Sequence, residues 1–184
     1  MTHVTPRLVS VLCAARNTVY RNMDGVDVYD IDRDARTFDG STPIIGHPPC
    51  AAWSAFCAHQ AKPAPGEKDL GLWVCDQLRI CGGVLEHSAH SRLFDAGKLP
   101  KPCEPERDGM WSVAVQQAWW GDTRRKATWV CFSCVPQEMV EIPFRLRGSS
   151  VGDRRRWQVM SKNQRSATSR AFAEWLVLAA RQVR

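Results

Sequence analysis

A cysteine follows two prolines at the end of a short apolar segment, in the sequence TPIIGHPPC of residues 42–50. Pro48 and Pro49 cannot donate hydrogen bonds to a sheet ladder, so they are expected to end the strand that precedes them. Cys50 is thereby held at the carboxyl edge of that strand, outside the core and in a restrained direction. A thiol in such a position is better suited to nucleophilic attack as a thiolate than to packing.

A glutamate lies near the end of a second apolar segment, GVLEHS of residues 83–88. A carboxylate at the end of a buried strand is costly to desolvate unless it has a partner. Glu86 is therefore predicted to have a hydrogen-bonding or acid–base role in a site. The alternative is a structural carboxylate that is paired with an arginine or a helix N-terminus.

The other cysteines indicate packing rather than disulfides or metal binding. The chain has eight cysteines, which in a cytosolic protein are expected as buried thiols, metal ligands or a nucleophile. Cys75, Cys81, Cys131 and Cys134 lie in apolar stretches, where cysteine behaves as a small hydrophobic residue. Cys131 and Cys134 have the spacing of a zinc knuckle, but no second pair with matching spacing follows. No metal site is predicted.

Short strands and two longer helices are predicted to position these residues. Strands are expected within residues 7–15, 25–32, 42–50, 83–88, 110–121 and 126–135. Helices are expected at 68–82 and 166–184, the second capped by Ser166 or Thr168. The order β-β-β-α-β predicts an α/β fold, whose ligands gather beyond the carboxyl ends of the strands. Cys50 and Glu86 are both expected at that edge.

Length and hydropathy favour a cytoplasmic protein with one compact core. At 184 residues the chain can form a single domain. No apolar run approaches the roughly 18 residues of a membrane span, and the first residues lack the charged and apolar segments of a secretory signal. We expect no membrane partner.

Positive charge is concentrated near the C-terminus. The chain has a net charge of +6, and residues 145–184 alone contain ten basic and two acidic residues. A basic segment on a nearly neutral body is typical of a nucleic-acid contact surface, because it can displace counterions from phosphates. A solvated basic helix would have the same charge.

Four motifs in order resemble cytosine-5 DNA methyltransferases, and also short phage and prophage proteins of the same pattern. HPPCAAWS is similar to the Pro-Pro-Cys motif of that family, and GVLEH to its strand-end glutamate motif. WWGDTRRKATWVCFSC resembles the Arg-rich turn and strand, and RSATSRAFAEWLVLAA the last motif and closing helix. The resemblance covers most of the chain and implies a shortened Rossmann-like methyltransferase sheet with flanking helices.

The resemblance implies a role for each matching residue. Cys50 would add to C6 of a pyrimidine, Glu86 would hold and protonate N3, and C5 would take a methyl group from S-adenosylmethionine. Arg125, or Arg124 in the alternative register, would contact the base oxygen and phosphate. The residues expected at the cofactor are Cys13, Ala14, Asp30, Asp32, Pro48 and Thr168, with Asp30 or Asp32 accepting the ribose hydroxyls.

The chain departs from the family in three places. No glycine follows the first strand before Gly25, where the family has a Gly-rich loop next to the cofactor. The stretch between the second strand and Cys50 is too short for the family's additional strand. The target-recognition region is reduced to residues 136–165, between a catalytic core at 1–135 and a closing helix at 166–184.

Nucleic-acid contacts are expected from this reduced region through charge and stacking rather than sequence reading. The residues expected to bind phosphates or stack on a base are Arg145, Arg147, Arg154, Arg155, Arg156 and Trp157. Trp119 and Trp120 are expected in the core or in a pocket wall.

The leading hypothesis is a minimal methyltransferase-like enzyme that modifies C5 of a pyrimidine, namely cytosine, in DNA or in a nucleotide. It would use S-adenosylmethionine and act in the cytoplasm, which is that of the bacterial host if a phage encodes it. The alternative is a catalytically degenerate methyltransferase fold that binds nucleic acid or nucleotide as a phage accessory or anti-defence protein. A third possibility is transfer of another one-carbon group, such as hydroxymethyl, from a different donor.

Overall fold

The computed structural model describes residues 6–54, 61–122, 126–143 and 167–184, which form a six-stranded mixed sheet with helices on both faces. The strands are β1 (Val9–Leu12), β2 (Val26–Val28), β3 (Ile44–Gly46), β4 (Gly83–Ser88), β5 (Met110–Gln116) and β6 (Ala127–Ser133). The helices are α1 (Glu67–Cys81), α2 (Leu93–Ala96) and α3 (Arg170–Ala180). The predicted α/β class is confirmed.

The strands have the spatial order β2-β1-β3-β4-β6-β5. β2, β1, β3 and β4 pair in parallel, whereas β6 is antiparallel to both β4 and β5. The chain leaves β1 toward β2 on one side and returns to β3 on the other. The strand order therefore reverses beside β1, which makes the carboxyl ends of β1 and β3 a topological switch point.

Each face of the sheet is covered by one long helix. α1 packs against the side chains of Leu12, Ile44 and Leu85, and α3 packs against the opposite face through Phe172 and Leu176. Apolar residues alternate between these two cores along each strand, because successive side chains point to opposite faces. On β4 this alternation directs Glu86 toward the α3 face and His87 toward the α1 face.

Gly46 allows α1 to lie close to the sheet. A Cβ on Gly46 would approach Val74 Cγ1 to 2.6 Å, well below ordinary van der Waals contact. α1 then ends at Gly82, whose φ of 69° is in the left-handed region. The stop predicted at Gly82 and Gly83 is thus confirmed.

Three local predictions are corrected. The strand expected through Gly121 ends at Gln116 and continues as the 3₁₀ turn Gln117–Trp120, in which Trp120 packs on Phe172 and Trp175 of α3. α3 begins after Ser169 rather than Thr168, and the Ser169 side chain makes no capping hydrogen bond. Cys134 is exposed rather than packed, because the backbone there has left β6.

The connections between the first three strands contain only 3₁₀ turns, at Val19–Asn22 and Ala35–Thr37. Beyond β6, Val140 and Ile142 pack against the α3 core, and the Trp175 indole donates to the Glu141 carbonyl at 2.7 Å. No helix in the described ranges has the length and apolar content needed to cross a membrane.

Candidate active site

The Pro-Pro-Cys corner lies at the carboxyl end of β3, beside the topological switch point. β3 is fully buried, Pro48 is buried and Pro49 half-buried, and Cys50 is exposed. Cys50 also forms the N-cap of the 3₁₀ turn Ala51–Trp53. The corner therefore turns the chain from the core to the surface over four residues and leaves the thiol at the surface, as the sequence predicts.

A buried carboxylate fastens the turn that follows Cys50. Glu67, the first residue of α1, accepts hydrogen bonds from the backbone N–H of Ala52 at 2.7 Å and of Ala64 at 3.0 Å. Glu67 is only 8% exposed, and hydrogen bonds from backbone N–H groups to a carboxylate are stronger than those between neutral groups. Glu67 thus holds together the two ends of the segment that links the cysteine corner to α1.

Trp53 packs the same turn against α1. A Cβ on Gly71 would lie 2.4 Å from Trp53 Nε1, so only glycine lets the indole pack this closely. The Trp53 carbonyl accepts from the backbone N–H of Arg92 at 3.1 Å. The position of Cys50 is therefore determined from both sides, by Pro48 and Pro49 before it and by these contacts after it.

Glu86 lies at the centre of a hydrogen-bonded chain on the α3 face. His47 Nδ1 donates to Glu86 Oε2 at 3.0 Å, and the hydroxyl of Tyr20 lies 2.9 Å from His47 Nε2. Tyr20 is 1% exposed and Glu86 6%, while the His47 side chain is 12% exposed. These hydrogen bonds link three parts of the fold, namely the segment between β1 and β2, the residue that follows β3, and β4.

The other oxygen of Glu86 faces two donors from the β5–β6 region. Gln117 Nε2 donates to Oε1 at 3.1 Å, and Lys126 Nζ lies 3.4 Å from the same atom. Burial raises the pKa of Glu86, but the charge of Lys126 and the hydrogen bond from His47 outweigh it. The pKa is held well below its ordinary value, so Glu86 is a carboxylate at neutral pH.

His87 occupies the opposite face of β4, toward α1. It is 2% exposed, and neither ring nitrogen has a hydrogen-bond partner among the described residues. Burial lowers the pKa of His87 by more than the charge of Glu86 and the nearby backbone of Pro49 raise it. His87 therefore lies near the cysteine corner as a neutral imidazole.

The first strand ends in a tight turn despite its lack of glycine. Cys13, directly after β1, has a φ of 61° in the left-handed region that glycine ordinarily adopts. The next residue, Ala14, is buried and donates its N–H to the Tyr29 carbonyl at 2.9 Å. Burial raises the pKa of Cys13 to about 12. This thiol is therefore part of the turn rather than a second nucleophile.

The two acidic residues after β2 differ in their surroundings. Asp30 is buried; Oδ1 accepts from the backbone N–H of Asp32 at 2.9 Å and of Arg33 at 3.2 Å, and Oδ2 pairs with Arg21. Asp32 is exposed and pairs with the exposed Arg16 at 2.7 Å. Asp30 therefore shapes the turn, and Asp32 is the carboxylate that a ligand can reach.

The remaining predicted site residues fall into two groups. Thr168 is half-buried and directly precedes the N-cap of α3. The others lie outside the described residues and are Arg124, Arg125, Arg145, Arg147, Arg154, Arg155, Arg156 and Trp157. The structure thus brings together the β3 corner and the end of β4, with Cys13 and Ala14 on the neighbouring strand.

Sequence reasoning missed His47, Lys126, Tyr20 and Glu67. Two of them are adjacent to motifs that the sequence analysis uses, since His47 directly precedes Pro48 and Lys126 ends the basic run DTRRK. A polar residue next to the candidate nucleophile motif, or next to the basic turn, is the sequence signal that could have identified His47 and Lys126. Tyr20 is distant in sequence from His47, as Glu67 is from Ala52, and no local pattern marks either of them.

Comparison with known proteins adds no relative. No protein-family model, no curated protein and no solved structure matches the chain. Among the described residues, no group of three or more His, Cys, Asp or Glu side chains could hold a metal ion. The positions of Cys50, Glu86 and their neighbours are therefore the basis for the chemistry of the site.

Proposed function

We propose that this protein is an S-adenosylmethionine-dependent, methyltransferase-like enzyme that modifies C5 of cytosine in DNA or in a nucleotide through a covalent adduct with Cys50. One observation carries the proposal. An exposed thiol lies four residues after the end of β3 and an ionised, buried glutamate lies near the end of the adjacent strand β4, next to a topological switch point.

The strand order supports the proposal at the level of the fold. Relative to the doubly wound order 3-2-1-4-5-6, the sheet lacks the strand outside β2 and has an antiparallel strand, β6, inserted before the edge strand β5. A parallel half followed by such an insertion is the arrangement of Rossmann-like methyltransferase sheets. The missing strand agrees with the short interval between β2 and Cys50.

The residues of the site match what methylation at a pyrimidine carbon requires. C5 of cytosine is a poor nucleophile until a nucleophile adds to C6 and makes the ring enamine-like. Cys50 adds to C6, and Glu86 holds the ring by its N3 and exocyclic amino edge. A base in duplex DNA must leave the stack to reach such a site. After C5 has taken the methyl group, a base removes the C5 proton and the Cys50 thiolate leaves, which restores the aromatic ring.

The residues beside β1 and β2 fit the donor. When bound, S-adenosylmethionine supplies an electrophilic methyl group. The left-handed Cys13 makes the tight turn beyond β1 that a close-lying ligand needs. Asp32 has an exposed carboxylate in the turn that Asp30 shapes, and its partner Arg16 is itself exposed. Asp32 is therefore the residue that would accept the ribose hydroxyls.

Covalent trapping tests the proposal directly. An oligonucleotide with 5-fluorocytosine, incubated with the protein and S-adenosylmethionine, should form an adduct that survives denaturation, because fluorine at C5 cannot leave as a proton. Cys50→Ser should abolish the adduct while retaining oligonucleotide binding. Cys103→Ser, which removes another exposed thiol, is the matched control and should trap normally. Absence of an adduct with the unaltered chain at saturating donor would refute the enzyme.

The alternative is a binding protein with the same fold and no chemistry. It is favoured by the ion pairs that Asp30 and Asp32 already form with Arg21 and Arg16, which a bound donor would have to disturb. Calorimetric titration with S-adenosylmethionine and S-adenosylhomocysteine separates the two functions. Binding of S-adenosylmethionine that is weakened by Asp32→Asn supports the enzyme. Binding of nucleic acid without binding of S-adenosylmethionine supports the alternative.

A further inference from the structure

Glu86 by itself is poorly suited to deliver a proton. Addition of a thiolate to C6 of cytosine is easier when N3 is protonated at the same time, which requires an acid. Glu86 is ionised in this structure because Lys126 and His47 lower its pKa more than burial raises it. A carboxylate in that state can accept hydrogen bonds from a base but has no proton to give.

His47 is the neighbour that can supply the proton. Its Nδ1 lies 3.0 Å from Glu86 Oε2, within proton-transfer reach. An ionised carboxylate can only accept, so Nδ1 carries the hydrogen. The 12% exposure of the His47 side chain allows the ring to recover a proton from solvent. We propose that His47 is the proton source for N3 and that Glu86 relays its proton to the base; this inference rests on the proposed function.

The other groups that face His47 are less suitable. Lys126 Nζ is 3.4 Å from Oε1, but ammonium groups are in general weaker acids than imidazolium by about four pKa units. Tyr20 is fully buried, and burial followed by the charge of Glu86 raises its pKa well above the ordinary value. His87 points to the opposite face of β4 and is neutral. Of these groups, His47 is therefore the imidazole that contacts Glu86 directly.

Cys50, the base, Glu86 and His47 together account for every bond and proton in the addition step. The Cys50 sulfur forms a bond to C6, and the electron pair of the C5–C6 double bond moves into the ring toward C5 and N3. The Nδ1 proton of the His47 imidazolium moves first to Glu86 Oε2, which carried none, and the same proton then passes from Oε2 to N3. When the thiolate leaves, the N3 proton returns along the same path, so His47 lends the proton without net consumption.

His47→Gln is the variant that separates proton supply from positioning. The glutamine amide can donate to Glu86 and accept from Tyr20, but it cannot transfer a proton. The rate of adduct formation with the 5-fluorocytosine oligonucleotide should be measured across pH for the unaltered chain and for H47Q. The unaltered chain should show a rate that falls at high pH, because a step that needs a proton donor slows when the donor is deprotonated. H47Q should lose this descending limb and react about 10²-fold more slowly at the optimum.

Two further variants complete the experiment. His90→Gln removes an exposed histidine whose ring centre lies 4.9 Å from that of Trp129, and should leave the profile unchanged. Tyr20→Phe keeps His47 but removes the group beside Nε2, and should shift the descending limb. An H47Q profile equal to that of the unaltered chain, or an unshifted limb in Y20F, overturns the proton-source role while the adduct itself still supports the proposed function. Failure of the unaltered chain to form any adduct overturns both.

Discussion

The carboxylate of Glu67 accepts a hydrogen bond from the backbone N–H of Ala52 at 2.7 Å, two residues after the candidate nucleophile Cys50. Its second oxygen accepts from Ala64 at 3.0 Å. A buried acceptor that satisfies two backbone donors restrains both, because an unpaired N–H in this environment would be costly. Glu67 is therefore expected to act on reactivity through the position of Cys50 without touching a substrate.

Glu67→Ala should lower the free energy of unfolding by roughly 1–3 kcal/mol, because it leaves buried donors without an acceptor. The rate of Cys50 adduct formation should fall about 10²-fold, as expected when a reacting group is displaced by about 1 Å. Asp69→Ala is the matched control, since Asp69 is an exposed acidic residue in the same first turn of α1. Glu67→Gln, which keeps one acceptor, should recover part of the rate. Equal rates in E67A and the unaltered chain would show that Glu67 serves stability alone.

Lys126→Met should destabilise the protein by about 3 kcal/mol at neutral pH, because it leaves the buried Glu86 carboxylate without its cationic partner. Urea denaturation measures the difference. Glu86→Gln in the K126M background should restore much of the loss, since no buried charge then remains. The exposed Lys98 is the control, and Lys98→Met should change stability little. A K126M effect no larger than that of K98M would mean that the ion pair is not important for stability.

The stability contributed by Glu86 should depend on pH in a defined direction. Its pKa in the folded protein lies below the ordinary value of 4.5. The contribution is therefore fully present above that value and is lost as the pH falls below it toward the folded-state pKa. In K126M the pKa of Glu86 should rise, so the difference in unfolding free energy between the two proteins should shrink in acid. A difference that stays constant from neutral pH to about pH 3 would contradict this linkage.

Thiol labelling should follow exposure and pKa. Burial raises the pKa values of Cys13 and Cys75 to about 12 and that of Cys131 to about 11, so these thiols should react slowly with a small electrophile at neutral pH. Cys50 should be labelled early, together with the exposed Cys103. Peptide mapping by mass spectrometry gives the order.

Serine replacements of Cys57, Cys103 and Cys134 provide a background in which labelling of Cys50 can be followed with less interference. In that background Cys50 should react before Cys13, Cys75 and Cys131, whose pKa values are raised to about 11 or 12. Labelling of Cys75 at the same rate as Cys50 would show that the cysteine corner does not expose its thiol.

The basic segment should contribute to nucleic-acid affinity through phosphates. Replacing Arg154, Arg155 and Arg156 by alanine should weaken binding, and should reduce the slope of log affinity against log salt by about 2 to 3. A triple alanine variant at Lys98, Lys101 and Arg107, which precede the edge strand β5, is the control. Fluorescence anisotropy at several salt concentrations measures both slopes. An unchanged slope in the arginine variant would exclude this surface as the phosphate contact.

Local patterns in the sequence were sufficient for the elements that depend on local rules. β4 was predicted with its observed bounds because GVLEHS is a β-rich segment with glycine before it. α1 was predicted to within a residue at each end, because its apolar residues have helical spacing and glycine follows it. The exposure of Cys50 was predictable as well, since two prolines end a strand in any context.

Contacts between distant segments were decided by the tertiary structure alone. The sequence marked Glu86 as a carboxylate in need of a partner but could not choose its partners, because Tyr20, His47 and Lys126 meet it only after four strands have paired. The left-handed turn at Cys13 was also hidden, since it is a backbone conformation that non-glycine residues adopt only when their surroundings compensate for its cost. Residue types and spacing thus determined which groups could react, whereas the sheet order decided which of them are charged, exposed and within reach of one another.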